Sequence, residues 1–179
     1  MLRTVTARMI YFVFMAGLTV VPGISGQQAK DAPAAPVPAE IAAARKVFIA
    51  NAGADIASQT IFKRAGQPDQ AYNHFYSAMQ SWGRYELDST PAEADLVLEI
   101  RFTAPMYYDG NTGTYEPQFG LNIFDAKTHF LLWSLSEPVG GAWREATWLK
   151  NFDQGLNLLM GDLKKVSAPA ANTIDPGKK

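Results

Sequence analysis

The sequence predicts an α+β fold: a two-layer sandwich with a mostly antiparallel sheet of four to five strands and two amphipathic helices on one face. Three observations carry this. Leu96, Leu98, Ile100 and Phe102 alternate with Asp95, Val97, Glu99 and Arg101, which is the period of a strand with one strongly apolar face. Trp148, Phe152, Leu156, Leu159, Leu163 and Val166 step by four or three residues, giving one apolar helical stripe of roughly five turns. Asp125-Ala126-Lys127-Thr128 is a tight-turn signature between two apolar runs, 118–124 and 129–136, which should therefore form a hairpin. A sheet with a single apolar face is covered on one side only.

The chain opens with Arg3 and Arg8, then an uninterrupted apolar or small-residue run from Met9 to Val21, then Pro22-Gly23 and the small residues Ser25 and Gly26. This is the layout of a secretory signal peptide over residues 1–26. The run is shorter than the roughly 20 residues a spanning helix needs, so no stable membrane insertion is expected after cleavage. Residues 27–44 carry Pro33, Pro36 and Pro38 among alanines and read as a linker, with a short helical turn at Glu40–Ala44. Residues 45–167 form the domain, and 168–179 read as a disordered tail.

Within the domain, Lys46–Asn51 is a short apolar strand and the polar stretch Ala52–Gln67 a loop. A helix begins after Pro68, with Asp69 as its N-cap. Ala71, Phe75, Ala78 or Met79, and Trp82 recur at helical spacing, and Gly83 stops the helix. Leu98 and Trp82 are expected to be buried. Arg84–Asp88 is a short strand, Ala94–Phe102 a long one, and the hairpin and the final helix, Glu145–Val166, complete the domain. The other sheet face, with Asp95, Glu99, Arg101 and Asn122, should be wet or bound to something.

Composition narrows the chemistry. Removing the leader takes Arg3 and Arg8 from 16 basic residues and leaves 14 against 17 acidic ones, a net charge of −3. That field does not attract nucleic acid. Zero cysteines excludes disulfides, thiolate metal sites, a cysteine nucleophile and a lipid-anchored junction. The two histidines lack metal-ligand spacing, so no metal is expected; His74 reads as a partly buried, hydrogen-bonded histidine and His129 as the opening of a strand. No nucleophile elbow or Gly-rich phosphate loop is present, and no cofactor is expected. Asp95 and Glu99 stand roughly 13 Å apart along a strand, too far for a glycosidase pair.

The loop Ala104–Pro117 gathers Met106, Tyr107, Tyr108 and Tyr115 around a Gly-Asn-Thr-Gly centre. Tyr with Gly and Asn is the composition of adaptable contact loops. Glu99, Arg101, Tyr107, Tyr108 and Tyr115 are therefore the candidate binding residues, and no catalytic residue is assigned.

The block FYSAMQSWGRYELDSTPAEADLVLEIRF, followed by LNIFDAKTHFLLWSLSEPV and the amphipathic C-terminal helix, resembles a group of uncharacterised exported bacterial proteins over roughly residues 45–166. The element order is more distantly similar to small α/β envelope domains of penicillin-binding-protein activators, curli secretion lipoproteins and the N-terminal domain of the translocation protein TolB. The resemblance implies a non-catalytic binding domain and brings no catalytic residues with it. The expectation is an exported, periplasmic or extracellular domain that binds an envelope protein or glycan. The alternative is a small-ligand binder or minor enzyme with a pocket between the 104–117 loop and the Trp143–Trp148 region.

Overall fold

The computed structural model describes residues 35–61, 69–108, 110–142 and 144–169. The leader, the first part of the Pro/Ala-rich linker, residues 62–68, Asp109, Trp143 and most of the tail fall outside these residues. In chain order the elements are α1 (Ala39–Ala43), β1 (Lys46–Ala54), α2 (Ile56–Ile61), α3 (Gln70–Trp82), β2 (Glu86–Asp88), a single 3-10 turn (Pro91–Glu93), β3 (Leu96–Thr103), β4 (Met106–Tyr108), β5 (Gly113–Tyr115), β6 (Gln118–Asp125), β7 (Leu131–Pro138) and α4 (Glu145–Val166).

Five strands form one sheet in the order β2-β1-β3-β6-β7. The sheet is mixed. β3, β6 and β7 run antiparallel, while β1 pairs in parallel with both β2 and β3. The parallel pairs follow from connectivity, because the chain leaves β1 through α2 and α3 before returning to β2 and then β3. β4 and β5 form a separate two-stranded ribbon. The class is α+β, as the sequence predicts.

The core lies between the sheet and the helices α3 and α4. Val47, Ile49, Leu96, Leu98, Ile100, Phe102, Phe119, Leu121 and Ile123 supply the sheet side. Ala71, Phe75 and Met79 from α3, and Trp148, Phe152, Leu156, Leu159 and Leu163 from α4, supply the helical side. Among the described residues Phe119 and Phe152 are the closest aromatic pair, with ring centroids 4.8 Å apart, and Phe102 packs against both at 5.1 and 5.5 Å. Gly155 lets α4 approach the end of β7: a Cβ there would lie 2.9 Å from Val139 Cγ2 and 3.3 Å from the Pro138 carbonyl.

Several local expectations change. Ile41 of α1 is fully buried and Ala44 nearly so, so apolar residues at the end of the linker stretch contribute to the core. Ala52–Gln67 is not simply a loop: β1 continues to Ala54 past a register shift at Gly53 (φ 74°), and α2 follows. The Asp55 carboxylate accepts from the Ser58 amide at 2.7 Å and from the Ala104 amide at 3.0 Å, so it caps α2 and ties it to the end of β3. Asp69 stands at the N-cap of α3 but makes no cap bond; its carboxylate accepts from Asn51 Nδ2 at 2.7 Å instead. Gly83 ends α3 in the left-handed conformation, φ 64°. Trp82 is half-buried, with its ring edge-on to Tyr85 and Lys164 Nζ above it. Leu98 is buried.

Candidate binding surface

β3 and β6 keep one register along their whole length, from Leu96 opposite Asp125 to Thr103 opposite Gln118. The ribbon continues that register without insertion: Met106 faces Tyr115, Tyr107 faces Thr114 and Tyr108 faces Gly113. The Glu116 amide donates to the Pro105 carbonyl at 3.0 Å between the two segments. The ribbon is therefore the far end of the central hairpin. Pro105 and Pro117 lie at the junction, where each lacks a ladder donor and so separates the ribbon from the sheet proper.

Strand alternation divides the ribbon's side chains between its faces. Met106, Tyr108 and Tyr115 share one face, on which a Cβ at Gly113 would touch Tyr108 and Met106 at 3.1 and 3.2 Å. Tyr107 and Thr114 occupy the other. Tyr108 is 72% exposed and Tyr107 52%. The tyrosines do not fold back into the core. Asp109 lies outside the described residues.

The open sheet face begins below the ribbon. Glu99, Asn122 and Ser134 are opposite one another on β3, β6 and β7. Asn122 Nδ2 donates to Glu99 Oε1 at 3.1 Å, and Ser134 Oγ donates to Asn122 Oδ1 at 2.9 Å. In the next row Arg101 crosses Gly120, whose missing Cβ would meet Arg101 Nε at 2.8 Å. Glycine at this position lets the arginine lie flat on the sheet. Ser136 Oγ donates to Gln118 Oε1 at 3.0 Å. On the other side of the Glu99 row, Phe48, Val97, Phe124 and Leu131 align across four strands, and none of them joins the core cluster.

Thus Glu99 and Arg101 stand on the open face, and Tyr107, Tyr108 and Tyr115 on the projecting ribbon. Asp95 is different: it precedes β3, and its Oδ2 accepts from the Arg45 and Lys46 amides at 2.8 and 3.0 Å. Those amide bonds, with burial opposing, hold its carboxyl below the usual aspartate range. The apolar row was the feature missed. Its signal was Phe48 and Phe124, which alternate out of phase with the core residues of their own strands.

Both histidines depart from expectation. His74 is exposed, with Nδ1 3.4 Å from Asp153 Oδ1 and its ring edge-on to Phe152. His129 does not open β7; it holds a left-handed conformation, φ 61°, inside the turn. That turn is built by Asp125 Oδ1, which accepts from the Lys127 amide, the Thr128 amide and the Thr128 hydroxyl. Elsewhere Glu137 on β7 is pushed up, first by burial and then by its neighbour Asp162. Among the described residues, no helix is long and apolar enough to cross a membrane.

No protein-family model matches the chain, and no curated protein matches it. Solved structures give partial likenesses. The PelC dodecamer from Paraburkholderia phytofirmans aligns with TM-score 0.43 at 12% identity, over 71% of this chain and 88% of that one. A lipoprotein from Neisseria meningitidis aligns at 0.36 and 12%, over 65% and 99%. A neuraminyllactose-binding hemagglutinin homolog from Helicobacter pylori aligns at 0.39 and 12%, over 68% and 84%. All three scores lie below 0.5, so the surface is interpreted from its own residues.

Proposed function

We propose that this chain is an exported, non-enzymatic domain that binds a cell-envelope macromolecule, protein or glycan, in the periplasm or outside the cell. One observation carries the reading: a ribbon continuous with the central hairpin holds Tyr107 and Tyr108 well exposed, outside the core. Tyrosine contributes large contact area at low conformational cost, which favours it at recognition surfaces. The adjoining open face, with Glu99 and Arg101, extends the same side of the hairpin as Tyr107. Export rests on the leader's charged, apolar and small-residue order.

The test is the double substitution Tyr107→Ser with Tyr108→Ser. Crosslinking in intact envelopes identifies what the wild type captures. The double variant is expected to lose that capture while its stability shifts by less than about 1 kcal/mol, because solvated loop residues contribute little to folding. A variant that unfolds makes the tyrosines structural. A folded variant that captures normally places recognition elsewhere and refutes the proposal.

A further inference from the structure

The outer edge of β7 offers a second surface. Hydrogen-bonded and open positions alternate along an antiparallel strand. The Val139 amide donates to the Pro117 carbonyl at 2.7 Å, in line with the pairs Glu137–Phe119, Leu135–Leu121 and Trp133–Ile123. Residues 133, 135 and 137 therefore turn their main chain toward β6, whereas Ser134 and Ser136 turn their amides and carbonyls outward. Both serines are exposed. Among the described residues, no strand pairs with this edge. Folded proteins usually blunt such an edge with charge, proline or a bulge. Here the register shift lies before Trp133 and Pro138 closes the strand, so the stretch between them is regular. Its one charged residue, Glu137, lies opposite Phe119 beside Asp162 of α4, on the helix-facing side, and places no charge among the outward residues Ser134 and Ser136.

We propose that a second copy of this chain pairs antiparallel with this edge, across a twofold axis at Leu135. The two outward residues are two positions apart, so this register is self-complementary. Ser134 of each copy faces Ser136 of the other, and each pair exchanges two N–H···O bonds. Pro138, which has no N–H to offer, falls opposite Leu132 beside the register shift and interrupts nothing. Half-buried Leu135 meets its own counterpart at an open position, where facing side chains approach most closely. The helix above adds apolar surface. Asn151 Nδ2 donates to the Gly140 carbonyl just past β7, and Leu158, seven residues on, lies on the same side of α4 and is 51% exposed. A second copy covers it. The open faces of the two sheets then join, bringing the Glu99–Asn122–Ser134 row of one copy beside the Ser136–Gln118 pair of the other.

Sedimentation equilibrium on the exported chain, over a range of concentrations, tests this together with hydrogen exchange at the Ser134 and Ser136 amides. The expected result is a monomer–dimer equilibrium in which both amides become protected as the dimer forms. Ser136→Pro deletes an outward N–H and no bond to β6; it should raise the dimer dissociation constant at least about tenfold, the scale of two lost hydrogen bonds. Ser136→Ala keeps the main chain and should still dimerise. A chain that stays monomeric, a dimer whose two amides exchange freely, or a folded Ser136→Pro protein that associates like wild type overturns the proposal. An extended peptide adding to the edge of a monomer is one such overturning outcome.

Discussion

Asp95 gives the sharpest test of how the sheet is held together. Its Oδ2 accepts from the Arg45 and Lys46 amides, its own amide donates to the Lys46 carbonyl at 2.9 Å, and its carbonyl accepts from the Ala126 amide at 3.1 Å. One residue thus joins the start of β1, the start of β3 and the turn between β6 and β7. A hydrogen bond to a charged group contributes about 1.5–3 kcal/mol. The Arg45 amide bond is exposed and only that to Lys46 is part-buried, which places the pair near the lower end of its sum. Asp95→Ala should therefore cost about 2–3 kcal/mol in urea unfolding at neutral pH. Asp95→Asn retains an acceptor oxygen but loses the charge, and should cost about 1 kcal/mol. The acid limb separates charge from shape. Folding lowers the Asp95 pKa, so the unfolded chain takes up this proton first on acidification. The stabilisation is complete above the unfolded value and disappears as pH falls through the folded one. The gap between wild type and Asp95→Asn should then close in strong acid. A loss below about 0.5 kcal/mol for Asp95→Ala, or a gap that does not change with pH, refutes the reasoning.

Leu98 is buried on the helix-facing side, so Leu98→Ala should lose about 2–5 kcal/mol in the same assay; a loss under about 0.5 would mean that its environment collapses without cost. Gly155→Val should cost about 2 kcal/mol or more, since its Cβ meets Val139 and the Pro138 carbonyl, and adding Val139→Ala should recover part of that. Additive losses would show that the two do not touch. Mass measurement of the protein from its native host should give an N-terminus at Gly26 or Gln27, and a full-length mass in the membrane fraction would reject the leader as a cleaved signal.

The sequence was most legible where the physics is local. The stripe from Trp148 to Val166 fixes α4 because each apolar residue lies within four positions of the next. The alternation of β3 fixes its core face, and the Asp125 side chain builds its turn from adjacent amides. Legibility failed where partners are distant. Nothing within Lys46–Ala54 indicates parallel pairing with β2 and β3, since that arrangement depends on where the crossover returns. Asp69 has the composition of a cap but finds Asn51, 18 residues away, a better donor. At the candidate surface, Glu99 and Arg101 followed from alternation alone. The division of Tyr107 from Tyr108 and Tyr115 required knowing that the ribbon extends the register of β3 and β6.

That unbroken register gives the tyrosine ribbon a mechanical character. Tension applied at Tyr107 or Tyr115 runs lengthwise down β3 and β6, two of the three interior strands of the sheet. β3 is bound on its far side by β1, and β6 by β7, so the load reaches both flanking ladders in shear. Their hydrogen bonds resist together, where a peeled edge would yield them one at a time. A pull on this arm is shared by both flanking ladders, while a pull on the three-residue β2 at the sheet edge is borne by its single ladder with β1.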